Sequence, residues 1–215
     1  MTGERGNLEI VCLPLGPMDN NTYLVGDTAT RQAVVIDPSF NSETVLEEAG
    51  RHGWRIAGIW LTHAHFDHIA GVAALVKAIN PPLPVGLHPA DLPLWRQGGG
   101  ARLFGMKMET GPEPALHFEH EQILCVGKHY LEVRHTPGHT PGHVVFYSDE
   151  ISTVLCGDLI FYHGVGRTDL PGGDHRALLQ SIHTQILPLP PATRLLSGHG
   201  PETTVEEEAH ENPFL

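Results

Sequence analysis

Residues 56–68 read Ile56-Ala57-Gly58-Ile59-Trp60-Leu61-Thr62-His63-Ala64-His65-Phe66-Asp67-His68, an apolar run that leads directly into four ligand-type side chains. The run Ile56 to Leu61 predicts a buried strand. Beyond it, Ile69, Val72, Val76 and Ile79 recur at three- and four-residue spacing, one apolar helix stripe that Asn80-Pro81-Pro82 stops. Side chains two apart at a strand end point to one side, so His63 and His65 can converge on one ion. The turn then redirects Asp67 and His68 toward a neighbouring point.

Three more ligand types follow apolar strands, each directly after a glycine that permits a tight turn. His139 closes Thr136-Pro137-Gly138-His139, Asp158 follows Val154-Leu155-Cys156-Gly157, and His199 follows Leu195-Leu196-Ser197-Gly198. Loops at strand ends are where a rigid sheet scaffold places catalytic groups. Seven ligands exceed one tetrahedral ion and suit two. Imidazole and carboxylate without thiolate suit zinc, iron or manganese. Asp37, at the end of an early strand, is a candidate outer partner for a ligand histidine. His135, His143 and His163 read as bystanders.

Outward from this stretch, residues 8–15, 21–26 and 32–37 predict strands separated by turn residues. Ser42 is a candidate N-cap for a helix carrying Val45, Leu46 and Ala49 and ending at Gly50 or Gly53. Residues 97–114, rich in Gly and Pro with Phe104, Met106 and Met108 among them, predict a long loop. Strands are expected at 123–126, 129–135, 143–148 and 152–156. A helix is expected near 174–187 behind Asp174, then a strand at Leu195-Leu196 and a short acidic helix from Thr204 to His210. The order β-rich, βα, β-rich, βα makes two similar halves whose helices can cover two sheets. With no linker between them, residues 1–215 are expected to form a single domain.

The formal charge of −12 argues against a nucleic-acid partner, which needs a basic face. Cys12, Cys125 and Cys156 lie in apolar runs and read as buried core thiols, with no CxxC spacing. No apolar stretch is long enough to span a bilayer, and Met1-Thr2-Gly3-Glu4-Arg5 begins no secretory signal. A cytoplasmic location is therefore expected, with no membrane partner. Sixteen histidines are the compositional anomaly.

The HxHxDH pattern, the Thr-Pro-Gly-His-Thr-Pro-Gly-His segment, the Gly-Asp after a strand and the late Gly-His-Gly resemble, in order, the metallo-β-lactamase superfamily, hydrolases of the α/β class built as αββα sandwiches. The resemblance implies a four-layer αββα sandwich. It implies that His63, His65 and His139 bind one metal, that Asp67, His68 and His199 bind the second, and that Asp158 bridges them. Within the superfamily, Gly157-Asp158-Leu159-Ile160-Phe161, residues 166–174 and the tail Gly200-Pro201-Glu202-Thr203-Thr204 with Asn212-Pro213-Phe214 resemble short, single-domain glyoxalase II-like enzymes, the hydroxyacylglutathione hydrolases. Arg167 matches a basic residue that contacts glutathione, and Phe161 is a candidate for packing on the acyl group. Two departures stand out. The two-domain enzymes carry an additional helical segment that holds glutathione, and this sequence reaches Leu215 without it. They also have an aromatic residue where Asp169 stands.

The expected activity is two-metal hydrolysis of thioesters, foremost S-D-lactoylglutathione, by a metal-bridging hydroxide with Asp67 orienting it. No nucleophile motif such as GxSxG is visible. No separate general acid is visible either, which suits a thiolate leaving group, because thiol pKa values lie near 8.5. The alternatives are a glutathione persulfide dioxygenase with one iron and a lactonase. A β-lactamase of the superfamily typically carries Cys where Asp158 stands. A nuclease is disfavoured by charge, and a non-catalytic metal-binding module by the complete ligand set.

Overall fold

The computed structural model describes residues 6–215. Strands β1 (Leu8–Leu15), β2 (Asn20–Asp27) and β3 (Gln32–Ile36) form an antiparallel meander. Helix α1 (Glu43–His52) then crosses to β4 (Arg55–Trp60), parallel to β3. Helices α2 (Phe66–Ile69) and α3 (Val72–Ala78) lead to β5 (Val85–Leu87), and α4 (Leu92–Arg96) precedes β6 (Leu116–His117). β7 (Ile123–Val126), β8 (His129–His135), β9 (Val144–Ser148) and β10 (Thr153–Gly157) build a second antiparallel run. A small hairpin, β11 (Ile160–Phe161) and β12 (Gly164–Val165), is followed by α5 (His175–Ser181), β13 (Arg194–Ser197), β14 (Thr203–Thr204) and α6 (Val205–Glu211). One six-stranded sheet has the order β1-β2-β3-β4-β5-β6, the other β14-β13-β10-β9-β8-β7.

Three apolar clusters define the layers. Val45, Ile69, Val72, Leu75 and Trp95 pack helices onto one face of the first sheet. Val25, Ile36, Trp60, Phe118, Leu131 and Phe146 fill the space between the sheets. Leu178, Ile182, Ile186 and Val205 pack α5, the turn after it and α6 on the outer face of the second sheet. Each sheet is thus buried on one side by the other sheet and on the other by helices, the expected αββα sandwich.

Several local expectations shift. The single helix through Ile69 and Ile79 is two, broken at Gly71, whose N–H donates to Pro38 O at 2.8 Å instead of continuing the helix. Ile79 is already extended, with φ −108° and ψ 130°. Ser42 makes no side-chain cap, whereas Asp174 and Thr204 accept from Ala177 N and Glu207 N. The helix behind Asp174 ends at Ser181 and continues as a π-helical turn, Ile182–Ile186. Only Cys156 is a buried thiol. Cys12 and Cys125 are exposed, because strand alternation sends Leu124 and Val126 inward and Cys125 outward. No helix among the described residues is long and apolar enough to cross a membrane.

Candidate metal centre

The loops after β4, β9's neighbouring turn, β10 and β13 meet at one end of the sandwich and bring all seven predicted side chains together. His63, His65 and His139 are buried, and one ligand atom from each lies within 4.8 Å of the others. His65 Nδ1 is 2.8 Å from His139 Nε2, and His139 Nε2 is 3.2 Å from His63 Nε2. Asp67, His68 and His199 form a second such group. Asp158 faces both: its Oδ2 is 3.6 Å from His139 Nε2, its Oδ1 3.2 Å from His68 Nε2 and 3.8 Å from His199 Nε2.

The hydrogen bonds behind the rings assign their tautomers. His139 Nδ1–H donates to Arg167 O at 2.7 Å, so Nε2 is left as a lone pair. Thr62 Oγ1 donates to Asp37 Oδ2 at 2.6 Å and therefore accepts from His63 Nδ1–H at 3.0 Å. His68 Nδ1–H donates to Asp37 Oδ2 at 2.9 Å, and His199 Nδ1–H to Met18 O at 3.1 Å. The Nε2 lone pairs of His63 and His139 then face one another, with His65 Nδ1 2.8 Å from His139 Nε2, so three ring nitrogens converge on one point, as ligands of a cation do. Buried Asp158 Oδ1 and His68 Nε2 have no hydrogen-bond partner although they face each other. Converging ring nitrogens at one point and unsatisfied buried atoms at the other fit two metal ions.

The electrostatics divide the centre in the same way. Burial holds His63 and His139 below the ordinary imidazole range and takes His65 down to about 3. These three are neutral and ligand-ready. Burial would also lower His68, but the Asp158 and Asp67 carboxylates overcome it and raise that ring well above 6.5. For Asp67 and Asp158, burial would raise the carboxyl, yet His68 holds both below the usual range. The acidic half collects positive charge.

Asp37, Thr62 and His68 form a tight relay. Asp37 accepts from Thr62 N at 2.7 Å as well as from Thr62 Oγ1 and His68. Its carboxylate is already filled with donors, which makes it an orienting group. Gly198 lies against the centre: a Cβ there would collide with Asp158 Oδ1. His143 is buried beside the site but its Nδ1 meets Thr136 and its Nε2 accepts from Asp158 N at 3.2 Å, so both nitrogens are engaged. His135 stacks on His88, and His163 pairs with Glu207.

An open cavity of about 940 Å³ lies in front, floored by His65, Asp67, His139 and Asp158 and walled in part by residues 94–108. The long loop predicted at 97–114 contains one helical turn, Ala101–Phe104, and faces this cavity. Arg167 borders it, with its guanidinium on Asp169 at 2.8 Å. Phe161 is half-buried, 6.2 Å from the His199 ring, and is not part of the cavity wall among the described residues.

Sequence reasoning missed Asp91. Fully buried, it accepts from Ala64 N (2.9 Å), Thr140 Oγ1 (2.8 Å) and Gly142 N (2.6 Å). It therefore clamps the loop of His63 and His65 to the loop of His139. Nothing in Pro89-Ala90-Asp91-Leu92-Pro93 has ligand spacing; its only signal is a buried charge, which sequence does not display.

The metallo-beta-lactamase superfamily model matches residues 15–199. The chain is 39% identical over 210 residues to the probable metallo-hydrolase YqgX of Bacillus subtilis (strain 168), covering 94% of this chain and 95% of that one. It is 33% identical over 211 residues to the hydroxyacylglutathione hydrolase GloC of Haemophilus influenzae, covering 97% and 98%. Among solved structures, the BLEG-1 B3 metallo-beta-lactamase superposes with a TM-score of 0.90 at 38% identity, covering 96% and 99%. TTHA1623, in a di-iron-bound form, superposes with a TM-score of 0.86 at 44% identity, covering 95% and 100%. On the family match and these relatives, the chain belongs to the metallo-beta-lactamase superfamily.

Proposed function

We propose that this protein is a two-metal hydrolase of thioesters, with S-(2-hydroxyacyl)glutathione, of which S-D-lactoylglutathione is the type, as its foremost substrate. The observation that carries the reading is the pair of ligand groups, His63/His65/His139 and Asp67/His68/His199, with Asp158 facing both at the floor of an open cavity. The 33% identity to GloC supports the substrate class. Two divalent ions held there, zinc, iron or manganese, would polarise a carbonyl and acidify water toward neutral pH.

The chain's own residues supply position and charge. Asp37, Arg167 O and Met18 O fix the ligand rings so that their lone pairs face inward. Asp67 Oδ2, 3.2 Å from His199 Nε2, borders the cavity and is placed to accept a proton from attacking water and orient it. Among the described residues lining the cavity, Asp67 and Asp158 are the only carboxyl groups and both belong to the ligand set, so a leaving group that departs as an anion is favoured, as a thiolate is.

Steady-state kinetics on S-D-lactoylglutathione, with metal analysis of the same preparation, tests this reading. Two metals per chain and turnover of the thioester are expected; one iron per chain with oxygen uptake on glutathione persulfide would overturn it. A second reading, β-lactam cleavage, is favoured by the 38% identity to BLEG-1, and a chromogenic cephalosporin assayed in parallel separates the two.

A further inference from the structure

The cavity has a wall that the hydrolytic chemistry does not use. Gly98, Gly99 and Gly100 are all left-handed, with φ of 74°, 62° and 77°, and they bend residues 97–108 back onto the ligand-bearing loop. Phe66 N donates to Gly99 O at 3.0 Å, and the Phe104 ring lies 5.1 Å from that of Phe66. The wall is therefore docked beside His65 and Asp67 rather than free.

Its cavity side mixes apolar and cationic groups. Leu103 and Phe104 remain 65% and 47% exposed, with Met106 and Met108 beside them. Four basic residues border the cavity: Arg96, Arg102, Lys107 and Arg167. Arg96 is taken by Glu113 and Arg167 by Asp169. Among the described residues, no carboxylate pairs with Arg102 or Lys107. In a chain of charge −12, two unneutralised cations bordering one cavity favour an anion that comes with the substrate.

Building on the thioester-hydrolase reading, we infer that residues 102–108 form a substrate subsite, in which the apolar side chains hold a flexible arm and Arg102 and Lys107 bind an anionic group on it, carboxylate or phosphate. A wholly neutral substrate would use only half of this wall. Arg102 and Lys107 are thus specificity-determining residues.

The test compares the holoenzyme with Arg102→Ala/Lys107→Ala on lactoyl thioesters of three thiols: glutathione (carboxylates), coenzyme A (phosphates) and N-acetylcysteamine (neutral). The ratio of kcat/KM for an anionic over the neutral thioester should fall about tenfold in the variant, mainly through KM. The wild-type ratio should shrink as salt is raised, because both cations are solvent-exposed. A response confined to glutathione assigns a carboxylate, one confined to coenzyme A a phosphate. Arg102→Glu/Lys107→Glu should lower the ratio further. Equal ratios in all proteins would overturn the subsite. If no thioester is hydrolysed, the thioesterase reading fails. The subsite is then scored by calorimetric titration with S-methylglutathione and coenzyme A: weaker binding to the variant supports it, and equal binding or none to the wild type overturns it.

Discussion

The Asp91 carboxylate takes three donors from two loops that each carry predicted ligands. Burial raises its pKa, while Thr140, Gly142 and Ala64 partly oppose that rise. Asp91→Ala would leave these donors unpaired inside the protein, at a cost of about 3 kcal/mol or more. Asp91→Asn keeps the volume but aims an NH2 group at a donor. Metal affinity should fall about tenfold or more in the Asn variant, as it does when outer partners of ligands are lost. Competition with a chromogenic chelator measures it, and wild-type affinity would show that the clamp is merely structural. His199 bears on a different question. It completes the second ligand group, so His199→Ala should halve the metal content and remove most hydrolytic activity. Undiminished turnover at one metal per chain would point to a mononuclear enzyme.

At the level of elements, the wall and the ligand loop are joined through Gly99. A Cβ there would lie 2.5 Å from Phe66 N and 2.7 Å from Ala64 O, both backbone atoms, at a φ that L residues rarely adopt. Gly99→Ala should therefore cost about 1–3 kcal/mol and raise KM, as read by thermal melts and kinetics; an unchanged KM would mean the wall does not shape the cavity. The turn bearing Asp91 begins at His88, whose ring accepts from Ala90 N and stacks on His135. Burial, then His135, lowers His88 to about 4. Its folded value lies below its unfolded one, so its contribution is complete above pH 6.5 and is lost as pH falls toward 4. His88→Gln should flatten the decline of Tm across that window; an identical slope would remove His88 from the acid response. The stronger periodic elements were legible in sequence: β1 to β4, β7 to β10, α1 and α6. The two- and three-residue strands β5, β6, β11, β12 and β14 were not, because so short a segment has no period to read.

For the whole molecule, the centre joins both halves of the sandwich. His63 and His68 come from the first sheet's side, and His139, Asp158 and His199 from the second's. Any ion held there cross-links the sheets. Ions that bind only the folded state stabilise it by mass action, so stripping them with a strong chelator should lower Tm on the order of 10 °C. Re-addition of zinc, iron or manganese should restore it in order of affinity. A melt indifferent to chelation would show that the centre carries no structural load.

Ligand types after apolar strands, the βα order of both halves and the family were readable from the chain, because covalent neighbours and strand period decide them. Tertiary structure alone decided that Gly71 splits a helix against Pro38 and that Asp91 locks two loops. It also decided that residues 97–108 face the centre across a cavity. Each of these depends on which backbone passes nearby, and no spacing along one segment encodes the approach of another.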